Sequence, residues 1–462
     1  MSLKALFSAK DMTLGSPWKR IMEFSIPMLL GNLAQQLYNT ADSIIVGQYV
    51  GDLALAAVGS AMPILNLRLA LFVGISTGAG IVVSQSFGAK DRKGLTEAIG
   101  NCISMSFIAS LAIMVIGPLI TMPMLQLLGT PESIIYDCRD YLNIYFLGII
   151  GFFFYNMLSG ILRGLGDSVS ALGFLLLAAA LNVVLDLIFV KDMGVAGVAL
   201  ATIISQAISA VFCYIKLARM KDLFDLGLKG MKLLPNVAGR ILQIGIPSGV
   251  TQAIMATAGM VVLNLTNAMG ETVIACNVVV MRVDGFAMMP NFTFGQAMSV
   301  YTGQNVGAGK FDRVHKGTKQ GSIIAFIFSA AITFSLLFLG KYLFSLFTDT
   351  PELIDLACRM IRLMAVGYIC VSVTQVLGGV MRGAGDTVSP MWISMISTIA
   401  IRIPVAYGLA WLTRSEAFPH GQPSALFGSL MFSWAMGMVM TIVVYAAGKW
   451  KKKMYASHMD LE

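Results

Sequence analysis

Apolar runs of about 20 residues, the length that crosses a bilayer as a helix, recur along almost the whole of this chain. We place them at 18–46, 54–84, 95–120, 134–160, 168–190, 194–216, 240–266, 273–303, 318–340, 354–380, 388–412 and 424–448. Each run is continuous. The strands of a membrane barrel would alternate over ~10 residues, so the runs are read as helices. Composition supports the reading: 57% of the residues are hydrophobic and 12% are charged, against about 25% charged in a soluble domain. Such a chain lacks the polar groups to cover a surface in water. The expected fold class is all-α, a polytopic membrane protein of about a dozen transmembrane helices. Lys10, Asp11, Lys19 and Arg20 interrupt the first twenty residues, so the first span is expected to remain as a helix rather than be cleaved as a signal peptide.

The net charge of +8 could suggest nucleic acid, but its distribution points to topology instead. With the N-terminus inside, the inside loops hold Lys90, Arg92, Lys93, Arg163, the basic group between 216 and 240, Lys310, Arg313, Lys316, Lys319, Arg382 and the Lys449–Lys453 tail. The outside loops hold Lys191, Lys341 and Arg414. Positive residues favour the cytoplasmic side, so both termini are expected in the cytoplasm and the chain in the cell (cytoplasmic) membrane. No nucleic-acid partner is expected. The partners are a small-molecule substrate and membrane lipid, with the chain acting as a monomer. The six cysteines are scattered, and none of the three histidines lies in a span. No His/Cys metal site, catalytic Ser/His pair or cofactor motif emerges, so neither an enzyme nor a cofactor is expected.

The chain also repeats itself. Leu158-Ser-Gly-Ile-Leu-Arg163-Gly-Leu-Gly166-Asp167-Ser-Val-Ser170 returns 219 positions later as Leu377-Gly-Gly-Val-Met-Arg382-Gly-Ala-Gly385-Asp386-Thr-Val-Ser389. Near the same offset, Ile26-Pro27 meets Ile246-Pro247, Gln85-x-x-Gly88-Ala89 meets Gln304-x-x-Gly307-Ala308, and Thr130-Pro131-Glu132 meets Thr350-Pro351-Glu352. The expected organisation is an N-lobe at 1–216, a cytoplasmic linker at 217–239 and a C-lobe with a basic tail at 240–462. Six spans per half make the repeat parallel, an arrangement suited to alternating access. In each Arg-Gly-x-Gly-Asp element the glycines permit a tight turn and the Asp can cap the next helix.

Pro27, Asn39-Thr-Ala-Asp42, Gly51-x-x-Ala54-x-Ala-Ala-Val-Gly59, Gln85-x-x-Gly-Ala and Arg163-Gly-x-Gly-Asp167 together resemble the multidrug and toxic compound extrusion (MATE) family. The resemblance covers nearly the whole chain. It implies 12 transmembrane helices in two pseudo-symmetric six-helix lobes, and export of small molecules driven by sodium or proton entry. It also implies a cation site formed by Asp42, Asn182, Asp186 and Thr202, with Tyr141 as an aromatic member. Gln35 and Asn156 resemble substrate-contacting positions. One branch of the family uses an acid in the seventh helix, and the 240–266 span contains none.

Reading the residues alone leads to the same place. A charge at mid-bilayer costs at least about 2.5–3.5 kcal/mol, so it must face a cavity or a partner. Asp42 and Asp186 each fall about 6 Å inside the outer boundary, and Asn182 and Thr202 lie at similar depth to one another. Two carboxylates, an amide and a hydroxyl suit sodium, and paired carboxylates titrate together. Read instead as helix ends wetted by the outside loop, Asp42 and Asp186 would need no ion.

The C-lobe lacks these acids: Asn182 corresponds to Ile401 and Asp186 to Val405. It carries Arg282, Asp284 and Arg402 instead. Arg282 and Asp284 either pair locally or line a substrate-binding cleft. Arg68 requires a partner that the sequence does not name. Most of the 31 methionines are core packing, while Met28, Met62, Met255, Met281, Met288 and Met289 can soften a cleft wall. The leading function is a sodium- or proton-coupled exporter of amphipathic, often cationic small molecules. The alternative is a flippase for lipid-linked glycan precursors, which would need a basic cleft.

Overall fold

A computed structural model describes residues 8–459 apart from 50–51, 128 and 228–231, and leaves the side chains of 39, 41–49, 52–60, 62–63, 66–68 and 71 undescribed. Asp42 and Arg68 therefore lie outside the described side chains. The described chain is helical, and its sole strand-like feature is an isolated bridge between Ser415 and Phe418.

The first half comprises α1 (Pro17–Tyr49), α2 (Asp52–Gly88), α3 (Arg92–Leu127), α4 (Ile135–Leu147), α5 (Ile149–Gly164), α6 (Ser168–Met193) and α7 (Val195–Ala218). The second comprises α8 (Pro235–Ala268), α9 (Glu271–Gly307), α10 (Phe311–Phe344), α11 (Pro351–Gly383), α12 (Val388–Met395), a π-helical segment (Ile396–Ile401), α13 (Arg402–Leu412), α14 (Ser424–Ala447) and α15 (Lys449–Met459). Among the described residues nine helical spans are long and apolar enough to cross a membrane, and α4–α5, bent by 53°, makes a tenth. The chain is an all-α, multi-pass membrane protein.

It divides into two compact units. Unit 1 is built on Ile26–Gly249 and unit 2 on Val250–Asp460, with Met12–Ser25 belonging to unit 2. The start of α8 thus folds with unit 1 and the start of α1 with unit 2. The repeated glutamines carry this arrangement. In unit 1 Gln85 Oε1 accepts from Arg240 Nη2 at 2.8 Å. In unit 2 Gln304 Oε1 accepts from the Met12 N–H at 2.8 Å. Arg313 extends the second contact by donating to the carbonyls of Met12 and Gly15.

The repeated loop motif behaves as a helix start. Asp167 accepts from the Ser170 N–H at 2.9 Å and Asp386 from the Ser389 N–H at 3.3 Å. In both loops the serine hydroxyl donates to the second carboxylate oxygen. Each carboxylate also faces a lysine, Lys216 at 3.8 Å in unit 1 and Lys453 at 3.0 Å in unit 2. The glycine before each Asp adopts the left-handed conformation, φ +80° at Gly166 and +91° at Gly385, which a side chain would oppose. Close helix packing repeats as well. A Cβ at Gly160 would strike Ser76 of α2, and one at Gly379 would strike the Gly295 carbonyl of α9. Small residues here let backbones approach, a common device where lipid supplies no hydrophobic drive between helices.

Three local features depart from the sequence expectation. The fourth span breaks at Gly148, where α7 leaves no room: a Cβ at Gly151 would lie 2.8 Å from the Ala207 Cβ. The eleventh span contains the π-helical segment. The basic tail is a helix, α15, whose Trp450 is fully buried.

Candidate functional site

Helix α6 is apolar nearly throughout, yet Asn182 and Asp186 are buried on it. Their i, i+4 spacing puts them on one face. The facing residue is Thr202, about two turns inside α7. The amide of Asn182 ties the three together. With its nitrogen toward the acid, Nδ2 donates to Asp186 Oδ2 at 2.9 Å, and the amide oxygen accepts from Thr202 Oγ1 and N at 3.1 Å. The reverse orientation would set an amide oxygen against a carboxylate oxygen, two acceptors facing each other. The Thr202 hydroxyl also lies 3.0 Å from the Val198 carbonyl. The structure thus brings Asn182, Asp186 and Thr202 into one buried cluster.

Tyr141 of α4 is buried beside it. It belongs to the same core as Val190, one turn beyond Asp186, and Val198, one turn before Thr202. Its ring meets that of Tyr145 edge-on at 5.0 Å. Among the described residues no group of three or more His, Cys, Asp or Glu side chains is gathered as for a metal. The cluster offers instead one carboxylate with neutral oxygens, a donor set that fits a monovalent cation better than a transition metal.

About one turn from this cluster along α6 and α7, unit 1 contains a cavity of about 270 Å³ lined by Ala178 and Ser205. Gln35 and Asn156, the two positions singled out for substrate contact, both line it, with Tyr38, Tyr155, Ser205 and Gln206. Asn156 Nδ2 donates to the Phe152 carbonyl at 2.8 Å. Gln206 was not anticipated. Among the described residues its buried Oε1 has no hydrogen-bond partner, nor has Ser209 Oγ. A polar stripe on an otherwise apolar helix, Thr202, Ser205, Gln206 and Ser209 at helical spacing, was the available signal.

Unit 2 holds a cavity of about 360 Å³. Asp284 lines it and accepts a hydrogen bond from the hydroxyl of buried Tyr368 at 2.9 Å. Met255, Met281 and Met288 are in its wall, as the sequence suggested for a cleft, together with Arg382 and Arg402. Among the described residues neither Arg282 nor Arg402 comes within ion-pair distance of Asp284. Arg282 is exposed and does not line this cavity with Asp284.

Comparison with known proteins bears on the whole chain. The family model described as MatE matches residues 27–188 and 247–408, one segment in each half. Probable multidrug resistance protein YpnP of Bacillus subtilis (strain 168) is 30% identical over 446 residues, covering 96% of this chain and 98% of that protein. Probable multidrug resistance protein YoeA of the same organism is 27% identical over 449 residues, 95% of each. The crystal structure of MATE in complex with MaL6 shares the fold with a TM-score of 0.87 at 23% identity, covering 97% of this chain and 99% of that one.

Proposed function

The chain belongs to the MatE family, and on that premise we propose that it is a secondary active antiporter, exporting amphipathic, often cationic small molecules in exchange for sodium ions or protons. Its relatives carry multidrug resistance names. The observation that carries the reading is the buried Asn182–Asp186–Thr202 cluster. A carboxylate placed within a membrane span is costly and needs a functional reason.

In this reading Asp186 and Asp42 hold the coupling ion, Asn182 and Thr202 supply oxygens, and Tyr141 closes the site. The Asn182 Nδ2 now occupies a position facing Asp186 Oδ2. Sodium would enter as the amide turns its oxygen to the ion, whereas a proton would bind the carboxylate directly. The ion and the exported molecule then favour different states, which is what drives alternating access. Gln35 and Asn156 contact substrate in unit 1, while Asp284 serves substrate in unit 2; Arg282, which the cavity excludes, has no part in it. Both termini are cytoplasmic. A reporter active only in the cytoplasm should work after Glu462 and fail in the 413–423 loop.

Arg382 and Arg402 in the unit 2 cavity favour a second reading, a flippase that holds the pyrophosphate of a lipid-linked glycan. Efflux of a cationic dye from cells separates the two. Asp42→Asn and Asp186→Asn should reach the membrane and lose gradient-driven efflux. Wild-type efflux from both folded variants would remove the exporter mechanism and leave the flippase as the better account.

A further inference from the structure

The eleventh span is interrupted where its sequence is least helical. Pro404 has no N–H to give to the Ala400 carbonyl. The chain widens into a π-helical segment, Ile396–Ile401, and the Arg402 N–H bonds the Ser397 carbonyl five residues back. That carbonyl also accepts from Ser433 Oγ of α14 at 2.8 Å. Single π turns in α-helices concentrate at functional sites. Here the widened turn brings Ser394, Ser397, Thr398 and Arg402 all onto the wall of the unit 2 cavity.

Arg402 is the unusual member. Among the described residues its buried Nε has no hydrogen-bond partner. Asp284 shares the cavity but is not in ion-pair contact with it. Asp284 is held instead by the Tyr368 hydroxyl at 2.9 Å, and Tyr368 is itself anchored by the Asn291 amide, which donates to its carbonyl at 3.1 Å. An acid and a base are thus fixed apart on one cavity wall. Between them the lining is apolar and adaptable, with Met255, Met281, Met288, Phe292 and Trp434. At about 360 Å³ the space lies in the range of small-molecule sites, which are mostly apolar with a few placed polar groups.

We propose that the unit 2 cavity binds small amphipathic zwitterions, with Arg402 taking the carboxylate, Asp284 taking the amine and the methionine-rich wall taking the apolar body. Arginine suits the first role because its planar fork matches a carboxylate. A simple cation would meet Asp284 but also two guanidiniums, Arg382 and Arg402. A simple anion would leave Asp284 unanswered. A zwitterion answers both charges and bridges the gap that the two side chains leave. This inference rests on reading Asp284 as a substrate-facing residue and adds the chemical class.

Three fluorescent probes with one apolar body test it: Nα-dansyl-lysine carries both charges, dansylcadaverine only the amine, and Nα-dansyl-norleucine only the carboxylate. Equilibrium binding to the full-length protein in nanodiscs, with no ion gradient, should favour Nα-dansyl-lysine over each of the others by about tenfold, the equivalent of one modest charge contact. Arg402→Gln should bring Nα-dansyl-lysine down to dansylcadaverine, and Asp284→Asn should bring it down to Nα-dansyl-norleucine. Arg402→Lys should keep part of the preference. Thr398→Trp, which fills the cavity, should abolish binding of all three. Equal binding of the three probes to the wild-type protein, blocked by Thr398→Trp, would overturn the zwitterion assignment and leave the cavity as a substrate site. Tightest binding of the anionic probe would overturn it in favour of an anionic headgroup. Binding unchanged by Thr398→Trp would overturn both the class and the site. Should Arg402→Gln fail to fold, the wild-type ranking and the Thr398→Trp result decide the matter by themselves.

Discussion

Helix α6 and its counterpart 219 residues on, the α12–α13 span, start alike and then part. Both begin at an Asp cap that holds a serine N–H and hydroxyl. Both follow a glycine in the left-handed conformation. Midway, α6 buries Asn182 and Asp186 against Thr202, while the second span has Ile401 and Val405 at those positions and a π turn leading to Arg402. Caps and packing glycines serve folding, and both units need them equally. Polar groups inside a membrane are retained only where they are used. On the proposed function this divergence would separate two tasks, cation coupling in unit 1 and substrate binding in the charged, methionine-lined cavity of unit 2.

The largest expected difference is between the two acids. Asp186→Asn should reduce gradient-driven efflux to the level seen in cells without the protein. Asp284→Asn should instead change which substrates are accepted and leave cation binding intact. Efflux and cation binding measured on both variants check this. Loss of cation binding in Asp284→Asn with retention in Asp186→Asn would reverse the assignment of the units.

The structural positions should behave alike in both units. Gly160→Val and Gly379→Val each force a side chain against a neighbouring helix, at a cost of about 1–3 kcal/mol for overpacking. Thermal unfolding in detergent should show similar losses for the two. A large loss in one alone would show that the packing is not equivalent.

The smallest effects concern the caps. Asp167→Ala and Asp386→Ala should each cost about 0.5–2 kcal/mol as lost N-caps. Asp386 also has the closer lysine, at 3.0 Å against 3.8 Å, so its loss should be slightly the greater. Stability measurements ranking Asp167→Ala as the more damaging would reverse that order.

Much of this comparison was legible in the sequence. The repeat motif foretold two capped loops because a Gly-Asp pair before Ser has a local physical meaning that needs no tertiary context. The Asn182, Asp186 and Thr202 grouping was legible because polar residues stand out in apolar helices and helix rise fixes their depth. The break at Gly148 was not, since it depends on how closely α7 approaches. Pro404 was visible, but Pro in a membrane helix is tolerated in several ways, so its conversion into a π turn had to be seen. Helix α15 carried too little apolar character to register as a span, and its order rests on tertiary contacts such as Lys453 with Asp386 and Tyr455 with Phe311.

The most direct test of cation coupling at Asp186 is the ion released when drug binds. Linkage is reciprocal, so a drug that expels the ion must bind more weakly as sodium or proton concentration rises. Binding of a cationic dye to purified protein, titrated across both ions, should release roughly one ion per dye from the wild-type protein. Folded Asp186→Asn should bind dye with no ion release and no dependence on either concentration. Unchanged release from that variant would contradict the account.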